Sequence, residues 1–570
     1  MTRTVGEQLW ATLRGLGADH VFGLPGTQTI DAFQALKRSG LRTVVPTDEM
    51  AAAFMANGYA RASGRPGILV TIPGPGFTYA LTGIAEAWLD SAPLLHVVPA
   101  APELPGREFA LQAIDQRAMA SPIVKHIFRA SHADEVGPAA VEAFRLATAG
   151  EPGPVMLEIR EEVFSAEAGR EPAVAAAMPP ELSIGQVDEL AALVGAARRI
   201  VLYLGAGVLD CADAACALAD VTDAAVVTTT TARGVISEND ARVVVRDPGM
   251  QDAAVANALV ERADLIVAIG CKFSHNGAAG FRLRLPLEKL VTVNAAGPSK
   301  NYPARIHVTA DAGRLLEALL PRLRPRQTGA PGWNAVELAA WREDALRFNR
   351  GVQMEPHLEG TSTPVSAIVS ELRASLADDA IVVTDSGLHQ MCLRRHFVVR
   401  RPRGLIAPTN FQSMSYALPA AMGAALAAPR RRVVALVGDG GMLMSGLELI
   451  TAMREAIPLT VVVFNDGAYG LIRNSQLTDH GESHGTELLG PDFEALAAAT
   501  GADYRHLGAE GLVAAVNDRR GSGSPVLLVE VSLVDSPGLK RARTRGRLRA
   551  VARRVVSPQH RALIARWLRR

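Results

Sequence analysis

Short, nearly continuous apolar runs recur along this chain, and each ends in a glycine-rich turn. They include GILVTIPGPG (67–76), RIVLYLGAG (199–207), ADLIVAIG (263–270), AIVVTDSG (380–387), VVALVGDGG (433–441) and LTVVVFNDG (459–467). Ala- and Leu-rich stretches of helical character follow each run. A strand that is apolar at every position has both faces buried, so strands alternating with helices predict parallel sheets covered by helices on both sides. Pro-rich breaks at 171–182 and 321–332 divide the chain. The pattern therefore predicts an α/β protein of three doubly wound parallel-sheet domains, at 1–170, 183–325 and 360–535. Open parallel sheets bind ligands beyond the carboxyl ends of their strands, so the chemistry is expected in the turns.

The turn GDGG (438–441) carries the strongest signal. A predicted helix, SGLELITAMREA (445–456), separates it from the next strand and the turn Asn465-Asp466-Gly467. One right-handed crossover of this kind sets the carboxylates of Asp439 and Asp466 side by side at one sheet edge. Two hard oxygen ligands beside glycine amides suit Mg²⁺ bridging to a diphosphate. Gly440 and Gly441 are read as glycines because a phosphate must come close to the backbone. The plainer alternative is that Asp439 caps a helix and Asp466 shapes a turn.

A second constellation lies near the N-terminus. Glu49 stands where a strand (43–45) passes into the helix MAAAFMANGYARA, a position where a glutamate also simply suits the helix dipole. Gly74 in GPG (74–76) and Gly26 in FGLPGT (22–27) end neighbouring strands and again open the backbone to a ligand.

Composition narrows the class. Apolar residues make up 48% and charged residues 21%, which fits globular domains and excludes a disordered or collagenous chain. No apolar stretch is long enough to span a bilayer, and the first ten residues lack a signal-peptide pattern. Four cysteines without metal spacing fit a reducing compartment, so a soluble, cytoplasmic protein is expected. The net charge of +1 hides an asymmetry: residues 540–570 carry twelve Lys or Arg and no acid, against −11 for the rest. A basic tail can dock on nucleic acid or membrane; read here as a solvated surface segment, it implies neither partner, and its removal is expected to leave turnover nearly unchanged.

Taken together, FGLPG, the helix entry at Glu49, GYARASGRPG (58–67), GPG, DSGLHQM (385–391), SYALPAAMGAALA (415–427) and GDGG…ND resemble the thiamine diphosphate enzymes of the acetolactate synthase-like group, over residues 1–535 and in order. The resemblance implies that the first domain binds the aminopyrimidine of thiamine diphosphate and the third its diphosphate, across two chains of a homodimer or homotetramer. Glu49 then matches the glutamate that hydrogen-bonds the pyrimidine ring nitrogen, and Gln112 a substrate-loop glutamine. Met414 matches the bulky residue that bends the cofactor into a V, with the Gln412 carbonyl taking its 4′-amino group. Gly387, Leu388 and His389 match the diphosphate-binding run; Asp439, Asp466 and the Ala468 carbonyl match the Mg²⁺ ligands.

Departures from the synthase pattern concern the second substrate and FAD. Lys272 in GCKFSHNG replaces an arginine, keeping the charge and losing the bidentate fork. Arg160 stands for a lysine, Tyr79 for an asparagine, and NAAGPSKNYPA (294–304) lacks an acidic pair. These changes put an FAD site and the acceptor pocket in doubt; GAGVLD (205–210) reads as a structural turn. The reading is a 2-oxo acid decarboxylase that carboligates, as acetolactate synthase does. The alternatives are a thiamine-dependent decarboxylase that releases an aldehyde, and an idle paralogue acting through its dimer surface. The retained Glu49, Asp439 and Asp466 argue against the last.

Overall fold

The computed structural model describes residues 3–100, 108–169, 182–251, 253–325, 332–347, 355–507, 511–517 and 523–555. Most of the break at 171–182, residues 326–331 of the break at 321–332, and all residues beyond 555 lie outside them.

Three sheets organise the chain. The first holds β1 (His20–Gly23), β2 (Arg42–Val44), β3 (Gly67–Val70), β4 (Leu94–Pro99), β5 (Ile127–Ala130) and β6 (Pro154–Ile159), in the order β2-β1-β3-β4-β6-β5 and parallel throughout. The second holds β7 (Ile200–Leu204), β8 (Ala225–Thr228), β9 (Val243–Arg246), β10 (Leu265–Ile269), β11 (Leu290–Asn294) and β12 (Ile306–Thr309), in the order β12-β11-β10-β7-β8-β9 and also parallel. Both orders run outward from a central switch point, the doubly wound topology that the apolar runs predict.

The third sheet departs from that expectation. Strands β14 (Ile381–Thr384), β15 (Leu405–Ile406), β16 (Val433–Gly438), β17 (Leu459–Asn465), β18 (Asp503–His506) and β19 (Val526–Val534) are parallel, but β13 (His357–Leu358) pairs antiparallel with the end of β19. Two residues at an edge carry no hydrophobic periodicity, so this strand is invisible in the sequence. The third sheet is therefore mixed. The single helix expected at 445–456 is also two, Asp439–Ser445 and Glu448–Arg454, broken at Gly446-Leu447.

The first and third domains share one core. The helix Glu49–Ser63 crosses the helix Ala417–Ala427, and both present small residues at the crossing. A Cβ at Gly58 would stand 1.9 Å from the Ala420 carbonyl oxygen, and one at Gly423 1.9 Å from that of Met55. Only glycine allows the backbones so close. The middle domain joins the third through buried charge: Arg394 donates to both carboxylate oxygens of Asp247 (2.7 and 2.8 Å), and Arg233 pairs with Glu238 while its guanidinium reaches the Arg394 carbonyl at 2.7 Å. Both arginines are buried and each is ion-paired to a buried carboxylate, the pairing that makes such burial tolerable.

Candidate functional site

Three adjacent parallel strands, β14, β16 and β17, deliver Asp385, Asp439 and Asp466 to one end of the third sheet. Each strand is buried along its length up to its last residue, and the first acid falls at the rim, where the chain leaves the sheet. A cavity of about 130 Å³ opens there. It is lined by Gly387, Leu388, His389, Met414, Asp439, Gly440, Gly441, Asp466 and Ala468, nine of the residues predicted from the sequence.

Its electrostatics are those of a cation site. Burial, and next the charge of Asp466, push the Asp439 carboxyl up to about 6, against the backbone N–H groups of Gly440, Ala468 and Gly467. Burial raises Asp466 as well, although the Arg473 guanidinium (3.1 Å) pulls the other way. Asp439 Oδ1 accepts from the Gly440 N–H (2.9 Å), whereas Oδ2 is buried without a partner. The Ala468 carbonyl accepts the Gly470 N–H at 2.7 Å and keeps a second lone pair. A buried carboxylate beside a partly buried one, one orphaned oxygen and a free carbonyl lone pair make a hard-oxygen donor set that fits Mg²⁺.

The glycines of this turn have a reason the sequence did not show. A Cβ at Gly440 would meet the Tyr469 ring at 2.8 Å, and one at Gly441 would stand 2.2 Å from Asp385 Oδ2. Packing alone demands glycine here, whatever approaches from outside. Gly387 likewise leaves room for the His389 ring, which a Cβ would meet at 2.6 Å. His389 Nε2 bonds Asp385 Oδ1 (2.7 Å) and its ring stacks on Phe464. Asp385 is thus a site residue to which the sequence reading gave no role. The signal was present: like Asp439 and Asp466, it is an acid at the end of an apolar strand.

A second cluster forms on the first domain. Asp48 caps the helix Glu49–Ser63 by accepting from the Ala51 N–H (2.8 Å), which leaves Glu49 as its first residue. Glu49 is half-buried, and burial raises its pKa, opposed by its own backbone N–H and aided by Asp48. Its Oε1 sits where a Cβ on Gly76 would come within 2.7 Å. Gly74 adopts φ +65°, and Gln112 lies over it, 2.8 Å from where a Cβ would be. Gln28 donates to Gln112 Oε1 (2.7 Å), and Gln116 accepts the Gly74 N–H (3.2 Å). Gly26 and Gly76 both abut Ile72. Glu49, Gly26, Gly74 and Gln112 therefore converge, but none lines the cavity of the third domain. Gln28 and Gln116 were missed because a lone glutamine carries no pattern.

The remaining predicted residues lie elsewhere. Gln412 does not line the cavity; at φ +66° it accepts from Ser386 Oγ (3.3 Å) and donates to the Thr409 carbonyl (2.8 Å). Lys272 lines a separate crevice of about 600 Å³ at the switch point of the middle sheet, where it pairs with Glu151 (2.7 Å) and donates to Ser91 Oγ (3.2 Å). Gly205 and Gly207 each approach Gly270 too closely for a side chain, so GAG is a structural turn. Arg160 pairs with Glu162 at the surface, and Tyr79 is exposed.

Family models for the thiamine pyrophosphate enzymes match three times: the N-terminal TPP binding domain over residues 3–119, the central domain over 187–319 and the C-terminal TPP binding domain over 385–530. A probable 2-ketoarginine decarboxylase of Pseudomonas aeruginosa is 32% identical, covering 88% of this chain and 89% of its own. A probable acetolactate synthase large subunit of Methanocaldococcus jannaschii is 30% identical over 87% and 86%, and the acetolactate synthase isozyme 1 large subunit of Escherichia coli 29% over 81% of each chain. The chain belongs to the thiamine pyrophosphate enzyme family.

Proposed function

We propose that this protein is a thiamine diphosphate- and Mg²⁺-dependent enzyme that decarboxylates a 2-oxo acid and joins the remaining fragment to a second carbonyl compound. The observation that carries the reading is the Asp439–Asp466 pair, with one buried Asp439 oxygen unpartnered, in the same cavity as Gly387, Leu388 and His389. Thiamine diphosphate, once bound, would supply the nucleophilic carbon and the electron sink that decarboxylation of a 2-oxo acid requires. Asp439, Asp466 and the Ala468 carbonyl would hold Mg²⁺, and the amides at Gly387–His389 and Gly441 would receive the diphosphate, the Gly440 N–H being taken by Asp439 Oδ1. Met414, at the cavity, and the Gln412 carbonyl would orient the cofactor.

Glu49 holds a proton against the pyrimidine ring nitrogen, and its raised pKa suits a carboxyl that shares one. Glu49, Gly26, Gly74 and Gln112 do not line the third-domain cavity of their own chain, and in this reading the first domain of one copy completes the site with the third domain of another. A homodimer is the least assembly that completes it. FAD enters no step of this reading.

Release of an aldehyde is the second reading, and one contact favours it. Capture of a second 2-oxo acid needs a cation to orient its carboxylate, and Lys272 is already held by Glu151. The purified protein with thiamine diphosphate and Mg²⁺, offered pyruvate and bulkier 2-oxo acids, decides by product mass. Coupled 2-hydroxy ketones are expected; aldehyde alone gives the second reading, and no CO₂ from any 2-oxo acid overturns both.

A further inference from the structure

The segment 407–416 leads into the helix Ala417–Ala427 and carries Gln412 and Met414. Two of its residues that are not glycine adopt left-handed backbone, Gln412 at φ +66° and Ser415 at +62°. Such geometry persists only where the surroundings hold it. Asp385 holds one end, accepting the Ser415 N–H at 3.2 Å. The other end is gripped from the first domain of the same chain. There Glu86, on the helix Pro75–Leu89, accepts both the N–H and the Oγ–H of Ser413 through its Oε2, at 3.1 and 2.7 Å.

Next to it, Asp90 accepts the Thr409 N–H (2.9 Å) and the Asn410 side-chain amide (2.9 Å). Arg61 ties Asp90 (3.1 Å) to the Ala407 carbonyl (2.7 Å). Glu86 and Asp90 are both buried, and they sit near the end of an otherwise apolar helix. An acid there has no packing purpose. Its work is to take the backbone amides of another domain.

We propose that Glu86 is a positioning residue for the cofactor: by clasping Ser413 it sets the Gln412 carbonyl and the Met414 side chain between which it stands. The proposal rests on the thiamine reading above. Under that reading each site takes its Glu49 from the partner copy and its Glu86 from the chain that carries the diphosphate cavity. Burial and the neighbouring charge of Asp90 push the Glu86 carboxyl up to about 8, a cost the molecule carries for a contact that apolar packing would not need.

Two measurements on Glu86→Ala and Glu86→Gln test this. In the protein without cofactor, amide hydrogen exchange of the 407–416 segment is expected to quicken about tenfold or more in Glu86→Ala, and to stay near wild type in Glu86→Gln, whose amide oxygen still accepts from Ser413. In the loaded protein, proton exchange at thiamine C2 is expected to slow by about ten- to a hundredfold in Glu86→Ala. The cofactor's dissociation constant should stay within about threefold, because no metal or diphosphate ligand is touched. A shifted near-ultraviolet dichroism of the bound aminopyrimidine should accompany the slowing.

Wild-type amide exchange or wild-type C2 exchange in Glu86→Ala overturns the clasp, and so does an affinity loss that matches the loss of C2 exchange, the sign of general damage. If Glu86→Ala does not fold, Ser413→Ala removes one leg of the clasp and is judged by the same readings. Glu49→Gln separates the two levels. Slow C2 exchange there with wild-type exchange in Glu86→Ala defeats the clasp alone; undiminished C2 exchange in Glu49→Gln defeats the thiamine reading and the clasp with it.

Discussion

A carboxylate buried beside another carboxylate works against folding until a cation joins them, and Asp439 is such a group. Asp439→Ala is therefore expected to weaken thiamine diphosphate binding in the presence of Mg²⁺ by about a hundredfold or more, while the cofactor-free protein melts no lower than wild type, because the repulsion is gone. Asp466→Asn keeps an oxygen ligand and should cost about tenfold. Titration calorimetry and a melting curve read both, and equal affinity in wild type and Asp439→Ala would remove Asp439 from the metal site.

Glu86 offers a pH test of its own. It faces Asp90, Arg61, Tyr416 and Ser413, and its pKa rises from 4.5 to about 8 on folding. Between those values the folded protein binds a proton that the unfolded chain has released. Stability from this group is thus complete below 4.5 and is lost as pH rises through about 8. Relative to Glu86→Gln, wild type should lose up to about 1.4 kcal/mol per pH unit across that window. Denaturant midpoints of both proteins from about pH 5 to about pH 8.5 measure it. A constant difference would mean that no proton is taken up.

At the scale of elements, the basic tail is less separate than its charge suggests. Its first part is the helix Pro537–Val555, which lies along the helix Gly470–Asp479. Arg543 bonds Asn474 (2.6 Å) and pairs with Asp535, and a Cβ on Gly546 would meet the Leu477 carbonyl oxygen at 2.0 Å. The helix it braces carries Arg473, the partner of Asp466. The expectation that residues 540–570 are dispensable thus holds only beyond this contact. Truncation after Leu548 should leave 2-oxo acid turnover near wild type. Truncation after Val534 should lower cofactor affinity severalfold, about 1 kcal/mol for the lost buried contacts, and equal affinity in the two truncations would refute the brace.

Legibility in the sequence followed the same scale. Apolar runs marked the long strands, and acids placed at their ends marked Asp439 and Asp466, because burial on both faces leaves a one-dimensional trace. The two-residue β13 left none. Nor did the left-handed Gln412 and Ser415, whose conformation depends on Glu86 and Asp385, distant in sequence and close in space. Lys272 was placed by family pattern beside the second substrate, yet Glu151, from the first domain, draws it into the crevice. Side-chain pairing between domains is a three-dimensional fact, and no local pattern encodes it.

Across the whole molecule, Glu49 does not line the Asp439 cavity of its own chain, and the reading proposed above calls for a second copy. Leu443, Met444, Leu447 and Ile450 crowd the short helices just past Asp439, and Leu447 is 59% exposed. Under that reading these exposed apolar side chains, close in sequence to Asp439, offer the face on which a second copy would dock. If two copies close over it around a two-fold axis, each cofactor lies between Glu49 of one chain and Asp439 of the other. Glu49→Gln and Asp439→Ala homodimers should then both be inactive. Unfolded, mixed in equal amounts and refolded together, they should regain about a quarter of wild-type turnover, since half the dimers are mixed and each mixed dimer has one intact site of two. A site contained in one chain predicts no recovery, because every chain in the mixture carries a defect. Leu447→Glu added to both chains should abolish the recovery by keeping the copies apart, with sedimentation velocity reporting monomers.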